Sequence, residues 1–220
     1  KFINAKGVEV DQRAIYEQDF SISPESSYLY LTSNETVDGI EFHDVSKIYA
    51  NAKSKRVPIV ADMSSNILSR AIDISQYGVI FACAQKNIGP SGLSVVIVRS
   101  DLLDKARFNT EKTRNYKSII AKESVLNTPN TFAIFMASRV FAWVKKNGGV
   151  EAFSKKNLVK SSLVYDFIDN SDLFVNNVAK PCRSRMNIPF FTLLRVHLVN
   201  HSRRANMPCH YITNGIDSYH

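Results

Sequence analysis

Three stretches decide the fold: VPIVADMSSN at residues 57–66, VIFACAQKNIGP at 79–90 and LSVVIVRS at 93–100. Each is a short, almost unbroken apolar run that stops at polar residues. Residues 57–61 end at Asp62 and a Met-Ser-Ser-Asn loop, and residues 79–84 end at Gln85, Lys86 and a turn holding Gly89 and Pro90. Residues 93–98 stop at Arg99. Apolar runs of this length suit strands covered on both faces, which predicts an α/β layer architecture with mostly parallel pairing. The link between the last two runs is too short for a crossover, so that pair reads as antiparallel.

Working outward, YLYL at 28–31 is a further strand that runs into Thr32, Ser33 and Asn34. Downstream, Phe132, Phe135, Met136, Val140, Trp143 and Val144 recur at spacings of three and four, with Lys145 and Lys146 in the last turn and Gly148-Gly149 as the stop. That is the pattern of an amphipathic helix, and it predicts Trp143 as a core residue. A second helix is predicted from about 150 to 168, with Leu158, Leu163, Val164, Phe167 and Ile168 on its buried side. Asp169-Asn170-Ser171 breaks it, and residues 171–190 begin a smaller, strand-containing region.

The composition permits a packed core: 220 residues, 45% apolar, 22% charged, with 8 Gly and 7 Pro. It excludes collagen-like repeats and wholesale disorder. No stretch reaches the roughly 20 apolar residues of a membrane-spanning helix, and no apolar segment follows Lys1 as in a secretion signal. The first residue is not Met, which suggests an upstream part. Net charge is +8, but residues 1–100 balance at −1 while 101–220 carry +9. The lysines of the basic half fall on solvated helix faces with no accompanying RNA-binding strand or zinc finger, so nucleic acid is not the expected partner. Cys83, Cys182 and Cys209 lack metal-ligand spacing. Only Cys209-His210 comes near it, so no metal site is expected and the thiols fit a reducing compartment.

The chemistry gathers where an open α/β sheet binds ligands, at the carboxyl ends of the strands. A lone Asp there is commonly a turn former. A lysine directly after a buried strand is harder to dismiss, because burying an ammonium without purpose costs several kcal/mol. Asp62 and Lys86 stand 24 residues apart in the sequence, and the glycine-containing turn after Lys86 lets backbone approach something bulky. An aldehyde cofactor with a pyridine ring needs this pair: an amine to form a Schiff base and a carboxylate to keep the ring nitrogen protonated.

The blocks ADMSSNILSR (61–70), YGVIFA (77–82), AQKNIGP (84–90) and VVIVR (95–99) closely resemble the phosphoserine aminotransferase family. So do NETVDG (34–39), NTP (127–129), NGGV (147–150) and SRMNIPF (184–190), collinear from about residue 28 to 190. The resemblance implies a fold-type I large domain, a mostly parallel mixed sheet flanked by helices, with a partial C-terminal small domain. It divides the chain into a partial cofactor-binding domain (1–165), the start of the small domain (166–190) and a divergent, poorly packed tail (191–220).

It further implies pyridoxal 5′-phosphate as cofactor and amino transfer between glutamate and 3-phosphohydroxypyruvate, yielding phosphoserine, in cytoplasmic serine biosynthesis. By position in the matching blocks, Lys86 is the Schiff-base lysine and proton shuttle, and Asp62 pairs with the ring nitrogen. Thr36 contacts the cofactor, and Gln85 binds its phosphate. Asn127 and Thr128 reach the cofactor phosphate of a neighbouring subunit, which implies a homodimer. The family's N-terminal third, with its Gly-rich loop and stacking aromatic residue, has no counterpart before Lys1. Two other readings stand beside this one: an inactive remnant of the same fold, and another fold-type I enzyme such as another small-amino-acid aminotransferase or a desulfurase, for which last Cys83 is a poor reactive thiol.

Overall fold

The computed structural model describes residues 22–192 and the backbone of three short strands outside them. Two of these, β1 (Phe2–Ile3) and β2 (Glu9–Val10), pair antiparallel with each other. The central elements follow in order: β3 (Leu29–Thr32), β4 (Asn34–Glu35), β5 (Ile40–Glu41), α1 (Ser46–Ser54), β6 (Ile59–Asp62), β7 (Val79–Cys83) and β8 (Ser94–Val98). Strands β3, β6, β7 and β8 form one sheet in that order. The pairs β3–β6 and β6–β7 are parallel and β7–β8 is antiparallel, as the length of the connections requires.

The sheet is covered on one face. Leu31, Ile59, Ala61 and Ile80 pack with Ile48 and Ala52 of α1 and with Val57, Met63 and Tyr77. The opposite face carries Tyr30, 50% exposed, stacked on Phe81 at 6.4 Å between ring centroids. On the edge strand β8, Val96 and Ile97 are also exposed. The expectation that these strands are covered on both faces therefore holds for one face only, since the helices of the described region pack on that side.

Beyond the sheet lie α2 (Tyr116–Ile120), α3 (Thr131–Lys146), α4 (Gly149–Asp169), β9 (Phe174–Val175), β10 (Asn187–Thr192) and β11 (His210–Thr213). Both long helices stand where the periodicity puts them, and Val144 and Ile168 are buried as expected, but most of the other predicted inward residues face out. In α3 the buried residues are Ala133, Ala137 and Val144, whereas Phe132, Phe135 and Trp143 are exposed. Trp143 is thus not in the core; it rests on Phe153 of α4 at 5.1 Å. The reason is close approach. A Cβ on Gly89 would lie 3.4 Å from the backbone of Ala137, so only a stripe of small residues fits between helix and turn.

In α4 the inward face is Asn157, Ser161, Tyr165 and Ile168, while Leu158, Leu163 and Phe167 point out. Asn157 Nδ2 donates to the Ser69 carbonyl (3.1 Å) and the Tyr165 hydroxyl to the Ser184 carbonyl (2.9 Å). Buried backbone acceptors thus take the polar side chains of this helix, as buried carbonyls need partners.

Strand β10 pairs antiparallel with β9 and β11, and Ile188 joins Tyr165 and Ile168 in a separate apolar cluster. The hairpin β4–β5 packs on β10 at Gly39, whose φ is +69° and where a Cβ would sit 2.2 Å from Pro189 Cδ. Only glycine fits that contact. No helix among the described residues is long and apolar enough to cross a membrane. The predicted tail, 191–220, lies outside the described residues except for 191–192 and β11, and Cys209 also lies outside them.

Candidate active site

The parallel strands β3, β6 and β7 end on the same side of the sheet, and Thr36, Asp62, Gln85 and Lys86 all follow those ends. Asp62 is the last residue of β6, level with Thr32 of β3 and Phe81 of β7. Its neighbours Ala61 and Met63 are buried in the core at 0% and 1% exposure, so strand alternation turns Asp62 to the open face. The Ser64 N–H donates to Asp62 Oδ1 at 2.8 Å, and Ser64 Oγ accepts from the Cys83 N–H at 3.0 Å. Among the described residues no hydrogen bond reaches Asp62 Oδ2.

Gln85 and Lys86 are both exposed, on a tight turn closed by Ile88 N–H (3.0 Å) and Gly89 N–H (2.8 Å) donating to the Ala84 carbonyl. Ala84 and Asn87 anchor the turn from below, with Asn87 Nδ2 donating to the Ile67 carbonyl at 2.9 Å. Lys86 is therefore not the buried ammonium expected from the sequence, and it stands out by its place at the strand end. Thr36 is half-buried in the turn between β4 and β5. Asn127 and Thr128 stand on an exposed segment ahead of α3, and no hydrogen bond ties them to the other four.

The sequence reading missed a buried polar network directly beneath these strand ends. Asn34, 1% exposed, donates through Nδ2 to Ser65 Oγ (2.7 Å) and Asn187 Oδ1 (2.8 Å), while its Oδ1 accepts from Ser184 Oγ. Glu41, fully buried, accepts from Arg70 Nε (3.1 Å), Asn66 Nδ2 (3.3 Å) and the Arg185 N–H (3.0 Å). Arg70 also donates to the Phe42 carbonyl at 2.6 Å. This network ties the Thr36 turn, the loop after Asp62 and the start of β10 into one body. Apart from Glu41 and Phe42, these residues lie inside the quoted motif blocks, but their polarity reads as loop, and only cross-chain geometry shows them as buried.

His43 borders this network. Its Nε2 donates to the Arg183 carbonyl at 2.8 Å, and its Nδ1 lies 3.9 Å from Glu41 Oε2. Burial pushes its pKa below the ordinary value, with the Glu41 carboxylate opposing. The fold therefore favours the neutral ring, and the unfolded chain takes up the proton first. Stability should fall as pH drops below the free-histidine value of 6.5 and level off below the lowered folded value. Melting temperatures followed from pH 7.5 to 5 should show this fall, and His43→Gln should flatten it. An equal slope in both proteins would contradict the assignment.

Near the start of β10, the Arg183 guanidinium lies 4.6 Å from the Tyr165 ring centroid and pairs with both carboxylate oxygens of Asp169 at 2.7 and 2.8 Å. Hydrogen bonding from Arg183 holds the Asp169 carboxyl below its usual range, and burial pushes the Tyr165 hydroxyl up.

A profile of the aminotransferase class-V family matches residues 5–203. The phosphoserine aminotransferase of Aromatoleum aromaticum is 49% identical over 188 residues, 86% of this chain and 50% of that protein. The solved phosphoserine aminotransferase of Bacillus circulans subsp. alkalophilus superposes with a TM-score of 0.73 at 39% identity, covering 79% of this chain and 46% of that one. The pyridoxal phosphate-bound phosphoserine aminotransferase of Trichomonas vaginalis gives 0.71 at 40% identity, over 79% and 47%. The chain spans about half the length of these relatives. With the fold-type I sheet, the strand-end residues and a profile match over most of its length, the chain belongs to the aminotransferase class-V family.

Proposed function

We propose that this chain carries the central catalytic residues of a pyridoxal 5′-phosphate-dependent phosphoserine transaminase, moving an amino group between glutamate and 3-phosphohydroxypyruvate. The observation that carries the reading is Asp62: a carboxylate at a strand end, bound at Oδ1 and open at Oδ2, beside the turn that presents Lys86. The donor set fits the cofactor, with an amine for its aldehyde, a carboxylate for its ring nitrogen, and hydroxyl and amide groups for its polar substituents. When bound, the cofactor supplies an electron sink that stabilises negative charge on the substrate's α-carbon.

Lys86 Nζ would hold the cofactor covalently and then carry the proton to and from the α-carbon. Asp62 Oδ2 would hold the ring nitrogen, with Thr36 and Gln85 as further ligands. Asn127 and Thr128, exposed ahead of α3, would serve the phosphate of a second copy in a homodimer. The exposed aromatic side chains of α3 support such association, since apolar surface of that extent marks interaction sites. The reaction belongs to serine biosynthesis, in the cytoplasm. The open face at Tyr30 and the exposed Lys86 favour, as second reading, a chain that folds and does not turn over.

Titration with pyridoxal phosphate decides the cofactor step. A visible absorption band that saturates with cofactor and disappears on borohydride reduction, with label recovered on the Lys86 peptide, is the expected result. Label recovered on other lysines alone would overturn the assignment. Turnover of glutamate by a chain that carries the band separates the two readings.

A further inference from the structure

We propose that Ser64 is the positioning residue for Asp62, acting through it on recognition of the cofactor's ring nitrogen; this rests on the reading of the site given above. Two contacts on two atoms of one residue carry it. The Ser64 backbone N–H binds Asp62 Oδ1, and its hydroxyl accepts the N–H of Cys83 on the neighbouring strand. Ser64 thereby ties the carboxylate to β7, the strand that presents Lys86 three residues later.

A carboxylate held at one oxygen loses rotational freedom at its terminal torsion, and its other oxygen keeps one direction. The residue that carries this N–H is itself tied to β7 by the Cys83–Ser64 hydrogen bond. Other contacts also hold the backbone there: the Met63 carbonyl, in the same peptide plane as the Ser64 N–H, accepts from the Asn66 N–H (3.1 Å) and the Ile67 N–H (2.8 Å), the Met63 N–H donates to the Phe81 carbonyl at 2.9 Å, and the Ser65 hydroxyl donates to the Asn34 carbonyl at 2.6 Å. Those contacts preserve the fold of the loop and the peptide plane, and the Cys83–Ser64 bond adds the side-chain tie that sets how closely the Ser64 N–H meets Asp62 Oδ1. Ser64 touches neither substrate nor cofactor on this account; it sets how Asp62 meets them.

The test compares two probes, pyridoxal 5′-phosphate and its 1-deaza analogue, in which a C–H group replaces the ring nitrogen. Equilibrium affinities are measured for the full chain and for Ser64→Ala, Ser64→Gly and Ser64→Thr. The unaltered chain should prefer pyridoxal phosphate. Ser64→Ala and Ser64→Gly should weaken pyridoxal phosphate about five- to tenfold, the worth of one hydrogen bond, and leave the analogue within about twofold. Ser64→Thr, which keeps the hydroxyl, should restore the preference. Equal weakening of both probes, or of neither, would overturn the role of Ser64. An unaltered chain that binds both probes equally, or neither, would instead remove Asp62 from the ring nitrogen and take the cofactor reading and this inference with it.

Discussion

On the proposed function, Lys86→Ala is expected to lower amino transfer from glutamate to 3-phosphohydroxypyruvate by at least about 10²–10⁴-fold, the share that positioned proton transfer alone contributes. On that reading the change would remove a covalent anchor and a proton carrier together. The fold should tolerate it. Lys86 is exposed, and the turn is held by its backbone and by Ala84 and Asn87 rather than by the lysine. Activity should therefore fall without a change in melting temperature, and rate and melting curves measured on the same preparation check both halves. Asp62→Asn keeps a side chain that accepts from the Ser64 N–H but carries no charge for the ring nitrogen, so it should retain the covalent link and lose rate. Near-normal turnover by Lys86→Ala would show that another amine does the work.

The largest effect on stability is expected at Glu41. Its side chain is 0% exposed and pairs with Arg70 at 3.1 Å, 15% exposed. Glu41→Ala would leave a guanidinium largely out of water without its carboxylate, and would strip acceptors from Asn66 and the Arg185 N–H. Removing one partner of a buried pair costs about 3–5 kcal/mol, far more than an exposed pair contributes. For a chain of this length that lowers the melting temperature by roughly 6–20 °C. Because the same carboxylate ties the hairpin β4–β5 to the loop after Asp62, cofactor affinity should fall with it. Replacing the pair together, as Glu41→Leu with Arg70→Met, should recover much of the loss. A Glu41→Ala protein within about 1 kcal/mol of the unaltered chain, in urea unfolding, would mean that the network adds nothing.

The same contrast separates what could be read early from what could not. The runs at 57–61, 79–84 and 93–98 announce their strands because continuous β-branched and apolar residues favour extended backbone, even on β8 where Val96 and Ile97 stay exposed, and the short link before residue 93 leaves only an antiparallel pair. Asp62 and Lys86 stand out for the same local reason, as polar residues that stop a buried run. Trp143 and Leu163 misled because periodicity reports that a helix has an apolar stripe, not which stripe meets the protein. Ala137 faces inward because Gly89 comes within contact distance, and Tyr165 because the Ser184 carbonyl needs a donor.

The sequence by itself determined the order and kind of the sheet strands, the two long helices and the identity of the strand-end acid and lysine. These depend on interactions within a few residues and on the burial of single segments. The tertiary structure alone decided the side of the sheet that lies open, the exposure of Lys86 and the network of Asn34, Glu41, Arg70 and Ser184. It also decided the tie from Ser64 to Cys83 that steadies Asp62. Those depend on groups up to about 150 positions apart, such as Asn34 and Ser184, whose pairing exists only once the chain has closed on itself and water has been excluded between them.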